Sequence, residues 1–275
     1  IFKKLGSICW REIHLRFLTF LIIEIKFRKT VRSVEPSTDK VIPDAVVLDQ
    51  LMNLVQALSE AIPPGHPRVK PSPRLQQQQA STAQQLMQRV LGYSIVRGPS
   101  LVGGRGVNVA GSKAVCCSQL VGLYPGAIYL PYQPILLQSV GNPFIFRCAD
   151  GILIDGNDKS ISRMMYRSCS GRDRVGIHEL ADSSWLTEFP QNPLNVGQYV
   201  NNQSKGFPSN VCYHEITLEP GLIPITQRRF LPNLWYSTSE GRSVADVPLR
   251  LVALVATRDI SPGEELFSDY FTIAH

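Results

Sequence analysis

The stretch that decides the fold lies close to the C-terminus and reads Arg258-Asp-Ile-Ser-Pro-Gly-Glu-Glu-Leu-Phe-Ser-Asp-Tyr270. The residues before it, Leu249-Arg-Leu-Val-Ala-Leu-Val-Ala256, are rich in Val and Leu, so they predict a buried β-strand. The Pro262-Gly263 pair is typical of a tight turn. Acidic and aromatic side chains follow that turn. We therefore expect a buried strand, a turn and then a segment that carries functional side chains.

The net charge of the chain arises in its first residues. The 275 residues include 28 basic and 22 acidic ones, of which eight basic and two acidic lie in residues 1–33. The remainder holds 20 of each sign and is neutral overall, so the net charge of +6 belongs to the tail. A nucleic-acid-binding face needs a basic patch or stripe. Direct binding of nucleic acid is therefore not expected of the body of the chain.

Residues 1–34 form a basic tail that begins with Ile1 rather than Met. The apolar run Phe17–Ile25 is interrupted by Glu24, and about 20 apolar residues are needed to span a bilayer, so no membrane span is expected. Three interpretations remain open: a basic surface or anchor helix, an organelle-targeting segment, and a mispredicted or fragmentary stretch.

The cysteines do not have the spacing of a metal site. They are Cys9, Cys116, Cys117, Cys148, Cys169 and Cys212. No two of them form Cys-x-x-Cys and no His lies at finger spacing, so no metal is expected. Reduced thiols indicate an intracellular location, in the nucleus or the cytoplasm.

Residues 35–92 predict a helical region with a linker inside it. After Pro43-Asp44, apolar residues recur at three- and four-residue steps up to Leu58, which indicates a helix with one buried face. A Pro- and Gln-rich stretch at about 61–80 predicts a linker. A second helix is expected from a capping box at Ser81, with Gly92 as its C-terminal cap.

Four short motifs follow in order between residues 93 and 275. They are Gly104-Arg-Gly106, Tyr124-Pro-Gly126, the Asn201-Asn202 pair with Asn210 downstream, and Gly263-Glu-Glu-Leu-Phe-Ser-Asp-Tyr270. Together, in this order, they resemble the motifs of the SET-domain protein lysine methyltransferases. The resemblance implies a mainly β protein with helices, an α+β fold. It would be a SET fold of small twisted sheets with a C-terminal pseudoknot, preceded by the helical region. Residues 93–275 would form the SET domain, with a variable insert at about 142–195.

The same resemblance implies methyl transfer from S-adenosyl-L-methionine to a lysine side chain of a protein substrate. Tyr270 and Tyr124 would then be catalytic and line the lysine channel. The residues expected to hold the methyl donor are Gly104, Arg105, Gly106, Asn201, Asn202, Tyr270 and Phe271. Glu265 fits a structural hydrogen bond as well as a role in catalysis.

The sequence also departs from the family pattern. Asn202 stands where the family has His, and Gln203-Ser204 replaces Ser-Cys. Many family members follow the closing motif with a cysteine-rich segment or a helix that completes the site, whereas Phe271-Thr-Ile-Ala-His275 follows here. Two function classes therefore stay open. One is a methyltransferase whose site is completed by the N-terminal helices or by a partner. The other is a catalytically silent SET-fold binding or adaptor protein.

Overall fold

The structure, a computed structural model, describes residues 40, 42–64, 72–238 and 244–270, and the backbone of two short strands at 32–34 and 272–274. The α-helices of this part are α1 Asp44–Ala61, α2 Pro73–Leu91, α3 Leu136–Ser139, α4 Ser160–Arg172 and α5 Ile225–Arg228. The three interpretations of the basic tail concern residues that lie almost entirely outside the described part of the chain. No helix among the described residues is long and apolar enough to cross a membrane.

The first predicted helix is confirmed, and its apolar face is buried. The buried residues of α1 are Val47, Leu51, Leu54, Val55 and Leu58. They belong to the same hydrophobic cluster as the sheet residues that follow. The helical region therefore shares one core with the sheets, and a domain boundary at residues 92 and 93 stays a prediction.

The second helix begins earlier than the sequence analysis predicts. Ser72 caps α2 through its hydroxyl, and Pro73 occupies the first helical position, where its fixed φ and missing N–H fit best. The Gln76–Gln79 run is therefore helical, and the predicted linker is wrong for residues 73–80. Gln is a good helix former once a cap precedes it, so composition alone misled the prediction. The capping box expected at Ser81 lies inside the helix, whereas the Gly92 cap is confirmed by its left-handed φ of 88°.

The strands form several small sheets, as the resemblance predicts. Their bounds are β1 Arg32–Val34, β2 Ser94–Pro99, β3 Arg105–Ala110, β4 Leu120–Leu123, β5 Gly126–Tyr129, β6 Ile145–Arg147, β7 Leu153–Asp155, β8 Arg174–Val175, β9 His178–Glu179, β10 Asn201–Asn202, β11 Val211–Leu218, β12 Asn233–Trp235, β13 Leu249–Ala256, β14 Phe267–Ser268 and β15 Thr272–Ala274. The larger sheets have the orders β11-β13-β4 and β12-β5-β7-β6, and the other strands pair as β2-β3, β8-β9, β10-β14 and β1-β15. The fold is therefore α+β.

The predicted buried strand is the centre of the core. Every residue of β13 is buried except Arg250, which is partly exposed. It pairs antiparallel with β11 along its whole length, from Val211 opposite Ala256 to Leu218 opposite Leu249. Its other edge pairs with β4. β13 is therefore the central strand of its sheet, and the burial of both its faces explains its apolar composition.

The segment after β13 turns back and is held between two earlier parts of the chain. The turn closes with a hydrogen bond from Glu264 N to Ser261 O at 3.1 Å, and Gly263 takes a φ of 80°. On one side Leu266 N donates to Val107 O of β3 at 2.8 Å. On the other side β14 pairs in parallel with β10. This is the arrangement expected of the C-terminal pseudoknot.

The segment predicted to be a variable insert contains a hairpin and contributes to a second small core. β6 and β7 pair antiparallel, and Gly151 at their turn has a φ of 85°. Beyond the hairpin, Tyr166 of α4 packs edge-on against Trp185 with ring centroids 4.9 Å apart. The hairpin itself is held by β7, which pairs antiparallel with β5.

Candidate functional site

Tyr270 ends the C-terminal segment, residues 257–270, and lies where that segment passes β10. Its backbone N–H donates to Asn202 Oδ1 at 3.0 Å, and its hydroxyl donates to Val200 O at 2.6 Å. The residue is 42% exposed, yet burial of its hydroxyl end raises the pKa of Tyr270 to about 12. The phenol is therefore protonated at neutral pH.

Tyr124 stands at the break between β4 and β5, which belong to different sheets. It is buried, and its hydroxyl donates to Phe144 O of the insert at 2.9 Å. Burial raises the pKa of Tyr124 well above its usual value, and the nearby phenols of Tyr213 and Tyr270 raise it further. The structure thus brings the two predicted channel tyrosines close to each other.

Two aromatic residues that the sequence analysis left without a role complete this cluster. Phe146 of β6 lies 5.3 Å from Tyr124 and 4.8 Å from Tyr213 between ring centroids. The Tyr213 hydroxyl lies 3.1 Å from Ser268 Oγ on β14. The signal in the sequence was weak, because an aromatic residue in a strand is more often plain core. We call Tyr124, Phe146, Tyr213 and Tyr270 the aromatic cluster.

Asn210 fixes the C-terminal segment beside this cluster. It is buried, its Oδ1 accepts from Phe267 N at 2.8 Å, and its Nδ2 donates to Glu265 O at 2.9 Å. One amide side chain therefore replaces two strand hydrogen bonds. Asn210 acts through the backbone of the residues that lead to Tyr270.

Glu265 and Asn201 form a polar cluster on the other side of β14. The Glu265 carboxylate is buried and accepts hydrogen bonds from Ser100 Oγ at 2.6 Å and Leu101 N at 2.8 Å. Asn201 Nδ2 lies 3.1 Å from the same carboxylate and 2.9 Å from Arg105 O. These bonds tie the glycine-rich β2–β3 hairpin to the C-terminal segment. Glu265 is thus a structural hydrogen-bonding residue, as one of the two interpretations held.

The two predicted glycines of the hairpin meet different surroundings. Gly104 has a left-handed φ of 73°, and a Cβ on it would have open space around it. A Cβ on Gly106 would lie 2.2 Å from Glu265 Oε1. The need for glycine at position 106 therefore arises inside the protein. The open space beside Gly104 could receive a ligand.

Charged side chains rim this hairpin. Arg105 pairs with Glu188 at 3.0 Å, and that bond raises the pKa of the exposed Arg105 guanidinium. Asn202 Oδ1 accepts the hydrogen bond from Tyr270 N. Phe271, the remaining predicted donor-binding residue, lies outside the described residues. Of the predicted site residues, the structure gathers Gly104, Arg105, Gly106 and Asn201 on one side of β14. Asn202 instead contacts Tyr270, which lies with Tyr124 on the other side.

Within the described part of the chain, Cys148, Asp150 and Glu215 are grouped closely enough to share a metal ion. Arg250 already pairs with both carboxylates, Asp150 and Glu215. Because Arg250 already supplies a positive charge to these carboxylates, this group carries no functional assignment.

The chain is similar to proteins of known family. It is 42% identical to the human protein named SET domain-containing protein 9, over 96% of this chain and 95% of that protein. It is 43% identical to the Pongo abelii protein of the same name, over 89% of this chain and 97% of that one. No protein-family model matches the chain.

Solved structures give a weaker comparison. The Cryptosporidium protein CpSET8 aligns over 82% of this chain and 95% of its own, with 12% identity and a TM-score of 0.32. The Neurospora SET domain protein DIM-5, a histone lysine methyltransferase, aligns over 89% and 90%, with 13% identity and a TM-score of 0.29. Scores this low mean only partial correspondence of the backbones, so the assignment rests on the sequence relatives.

The small sheets, the C-terminal segment held between β3 and β10, and the motif order are those of a SET-domain protein. The identity with the human and Pongo abelii proteins extends over almost the whole chain, helical region included. The chain belongs to the SET domain-containing protein 9 family.

Proposed function

We propose that this chain is an S-adenosylmethionine-dependent methyltransferase that acts on lysine side chains of a protein substrate. The observation that carries the proposal is the meeting of Tyr124, Tyr213 and Tyr270 beside Asn201 and Asn202. These residues come from separate elements: Tyr124 and Tyr213 contact each other, and the C-terminal segment adds Tyr270. An aromatic cluster next to an open glycine turn would supply apolar walls for a lysine side chain and polar groups for the methyl donor.

The chemistry of the polar side fits the amino-acid end of the donor. Asn201 Nδ2 is used within the protein, which leaves its Oδ1 as the atom suited to accept from an ammonium group. The Arg105 guanidinium is exposed and suited to a carboxylate. Gly104 adds backbone without a side chain in the way. When bound, the donor supplies an electrophilic methyl group on a positively charged sulfur.

The aromatic cluster would prepare the lysine. A lysine amine must be neutral to attack, although its usual pKa is about 10.4. Apolar walls of Tyr124, Phe146 and Tyr213 remove water from the amine and so lower that pKa. The Tyr270 hydroxyl donates a hydrogen bond to Val200 O. Its oxygen can at the same time accept a hydrogen bond from an amine N–H. Tyr270 would thereby orient the amine toward the methyl group, an alignment that is worth about 7–11 kcal/mol in well-ordered reactions.

Other parts of the proposal follow from the resemblance and the composition. The substrate would be a protein, and the location intracellular, in the nucleus or cytoplasm. The SET domain would span residues 93–275, with its insert at about 142–195 as one wall of the substrate groove. A partner could complete the site on the C-terminal side.

A catalytically silent SET-fold adaptor is the second candidate. The observation that favours it is the extent to which Asn201 is already engaged, since its amide nitrogen has acceptors on Ser100, Arg105 and Glu265. A pocket with so many internal bonds could be a structural remnant. Donor binding separates the two candidates.

The first test is calorimetric titration of the full chain with S-adenosylmethionine, beside Asn201→Ala and Tyr270→Phe. We expect the wild type to bind and Asn201→Ala to lose binding while it remains folded. A folded wild type that does not bind the donor would contradict the enzyme and favour the adaptor.

Turnover is then measured as transfer of labelled methyl groups to an array of lysine-centred peptides. We expect Tyr270→Phe to keep donor binding within about two-fold and to lose about 100-fold in turnover, the usual effect of removing one hydrogen bond to the transition state. Tyr166→Phe is the matched control, because its hydroxyl is also buried and donates to carbonyls, those of Asp182 and Pro232. Equal losses in both variants would contradict a role for Tyr270 in catalysis.

A further inference from the structure

Arg228 is buried, and no described residue provides a partner for its charge. It ends α5, it is 6% exposed, and its Nε has no hydrogen-bond acceptor among the described residues. Burial alone lowers the pKa of its guanidinium, and no described acidic group acts on it. A guanidinium is a strong donor of five N–H groups and stays charged in proteins. Buried charges in folded proteins are nearly always paired, so this one calls for an anion.

The neighbouring charged groups are already engaged. Glu179 on β9, which packs against α5, pairs with Arg174 at 2.7 Å. Asp182 accepts from Asn195 at 2.7 Å. Arg229, next in sequence, donates to Ile62 O and lies over the Phe230 ring at 4.2 Å. None of these groups neutralises Arg228.

Arg228 lines a cavity of about 290 Å³ at the surface. The other lining residues are Pro220, Gly221, Ile223, Pro224, Ile225, Ala245 and Asp246. The wall is thus mostly apolar, with one buried cation and one exposed carboxylate. The size suits a small branched apolar group, and the Asp246 carboxylate disfavours anions of more than one negative charge.

The cavity is separate from the candidate active site. Its lining residues follow the end of β11 at Leu218 and precede the start of β13 at Leu249, which are paired with each other. Tyr213 lies toward the other end of β11. At about 3.3 Å per residue, Tyr213 and Leu218 are about 17 Å apart along β11. A ligand here would not touch the aromatic cluster.

We propose that this cavity binds a monocarboxylate with a small branched apolar body, which Arg228 holds through its guanidinium. The planar fork of Arg matches the two oxygens of a carboxylate. The apolar body would fill the space between Ile223 and Ile225. The carboxylate can belong to a free small acid or to the end of a peptide chain, and both share this recognition.

The test uses isovalerate as the probe and follows the Nε–Hε signal of Arg228 in a ¹⁵N correlation spectrum of the full chain. The signal is assigned by its absence in Arg228→Gln. We expect a saturable movement with isovalerate in the millimolar range and none with isovaleramide, which has the same shape and no charge. No saturable movement, or an equal one with isovaleramide, would overturn the proposal.

A second pair of probes identifies the source of the carboxylate. N-acetyl-glycyl-valine is compared with its C-terminal amide. Binding at least about ten-fold tighter than isovalerate supports a peptide terminus, and equal or weaker binding supports a free acid. Failure of both carboxylates overturns the site.

Variants keep the test decisive if Arg228→Gln does not fold. Asp246→Asn removes an exposed like charge from the rim and should tighten isovalerate binding about two- to five-fold. Weaker binding would overturn the proposal. Arg229→Gln is the matched control and should leave binding unchanged.

Glu240 lies outside the described residues. If Glu240→Gln moves the Arg228 signal without any probe, the chain's own carboxylate is its partner and an external ligand is overturned.

Discussion

Replacing Gly106 with alanine should destabilise the fold through Glu265. The added Cβ would lie 2.2 Å from Glu265 Oε1 and 2.8 Å from its Cδ. An ordinary contact needs about 3.4 Å, so the carboxylate must move by about 1 Å. Because Glu265 is 1% exposed, it has no solvent to move into.

The cost follows from the bonds that this oxygen makes. Glu265 Oε1 accepts from Ser100 Oγ at 2.6 Å and from Asn201 Nδ2 at 3.1 Å. Hydrogen bonds to a charged group contribute about 1.5–3 kcal/mol each, and partial relaxation recovers some of that. We expect Gly106→Ala to lower the free energy of unfolding by about 3 kcal/mol. For a domain of this size that lowers Tm by about 6–12 °C.

The assay is thermal and urea denaturation of Gly106→Ala beside a matched control on the facing strand. Gly98 is paired with Gly106 in the β2–β3 hairpin, and a Cβ on it would meet only Asn108 Nδ2, at 3.4 Å. Gly98→Ala should therefore change the stability by less than about 0.5 kcal/mol.

A double-mutant cycle tests the cause. In a Glu265→Ala background the space beside residue 106 is vacant, so the same Gly106→Ala change should cost less than about 1 kcal/mol. The coupling energy would be about 2 kcal/mol, in the range for side chains in contact. An unchanged cost in that background would refute the reasoning. Normal stability with loss of donor binding would instead point to close approach of the methyl donor at this glycine.

Three further predictions concern single side chains. Asn210→Ala leaves the buried Phe267 N–H without its acceptor and should cost about 3 kcal/mol in urea denaturation; a cost below about 1 kcal/mol would contradict its anchoring role. Burial raises the pKa of Asp182 to about 6 in the folded state, so the folded form binds the extra proton. Its contribution to stability should therefore fall by about 3 kcal/mol as pH rises from about 4 to 6. The Tm of Asp182→Asn should therefore rise relative to the Tm of the wild type over that pH interval. A Tm difference that stays constant with pH would contradict the raised pKa of Asp182. Tyr213→Phe loses the hydrogen bond to Ser268 and should lower the free energy of unfolding by about 1 kcal/mol. It should reduce methyl transfer less than Tyr270→Phe does, and a larger reduction would make Tyr213 the residue that orients the amine.

Local patterns predicted the core of this fold well. The apolar run at 249–256 is the central strand of its sheet, and it lacks polar alternation because its residues are buried on both faces. The Pro262-Gly263 turn and the Gly92 cap are also where the sequence indicates them. The Gln76–Gln79 run was misjudged, since a helix there depends on the cap at Ser72 rather than on the run itself.

The candidate site was predictable only through the order of the motifs. The local sequence around Asn201-Asn202 and around Tyr270 does not indicate that these residues lie close together. Only the resemblance to the SET-domain family predicted their proximity. The aromatic partners Phe146 and Tyr213 were missed because their role depends on which face of a strand meets the insert. Arg228 gave no signal either, because the sequence does not tell a buried arginine from an exposed one.

The C-terminal segment decides when this protein can become native during synthesis. Residues 263–266 bond to 107–109, about 150 positions earlier, and closing so long a loop is slow because the entropy is lost before the contacts form. Until residue 270 has left the ribosome, the glycine hairpin and the strand at Asn201–Asn202 lack the element that joins them. A nascent chain that stops before this point would expose both and depend on chaperones. Premature termination would therefore remove the whole site, and it would do so even though most of the site's residues had already been made.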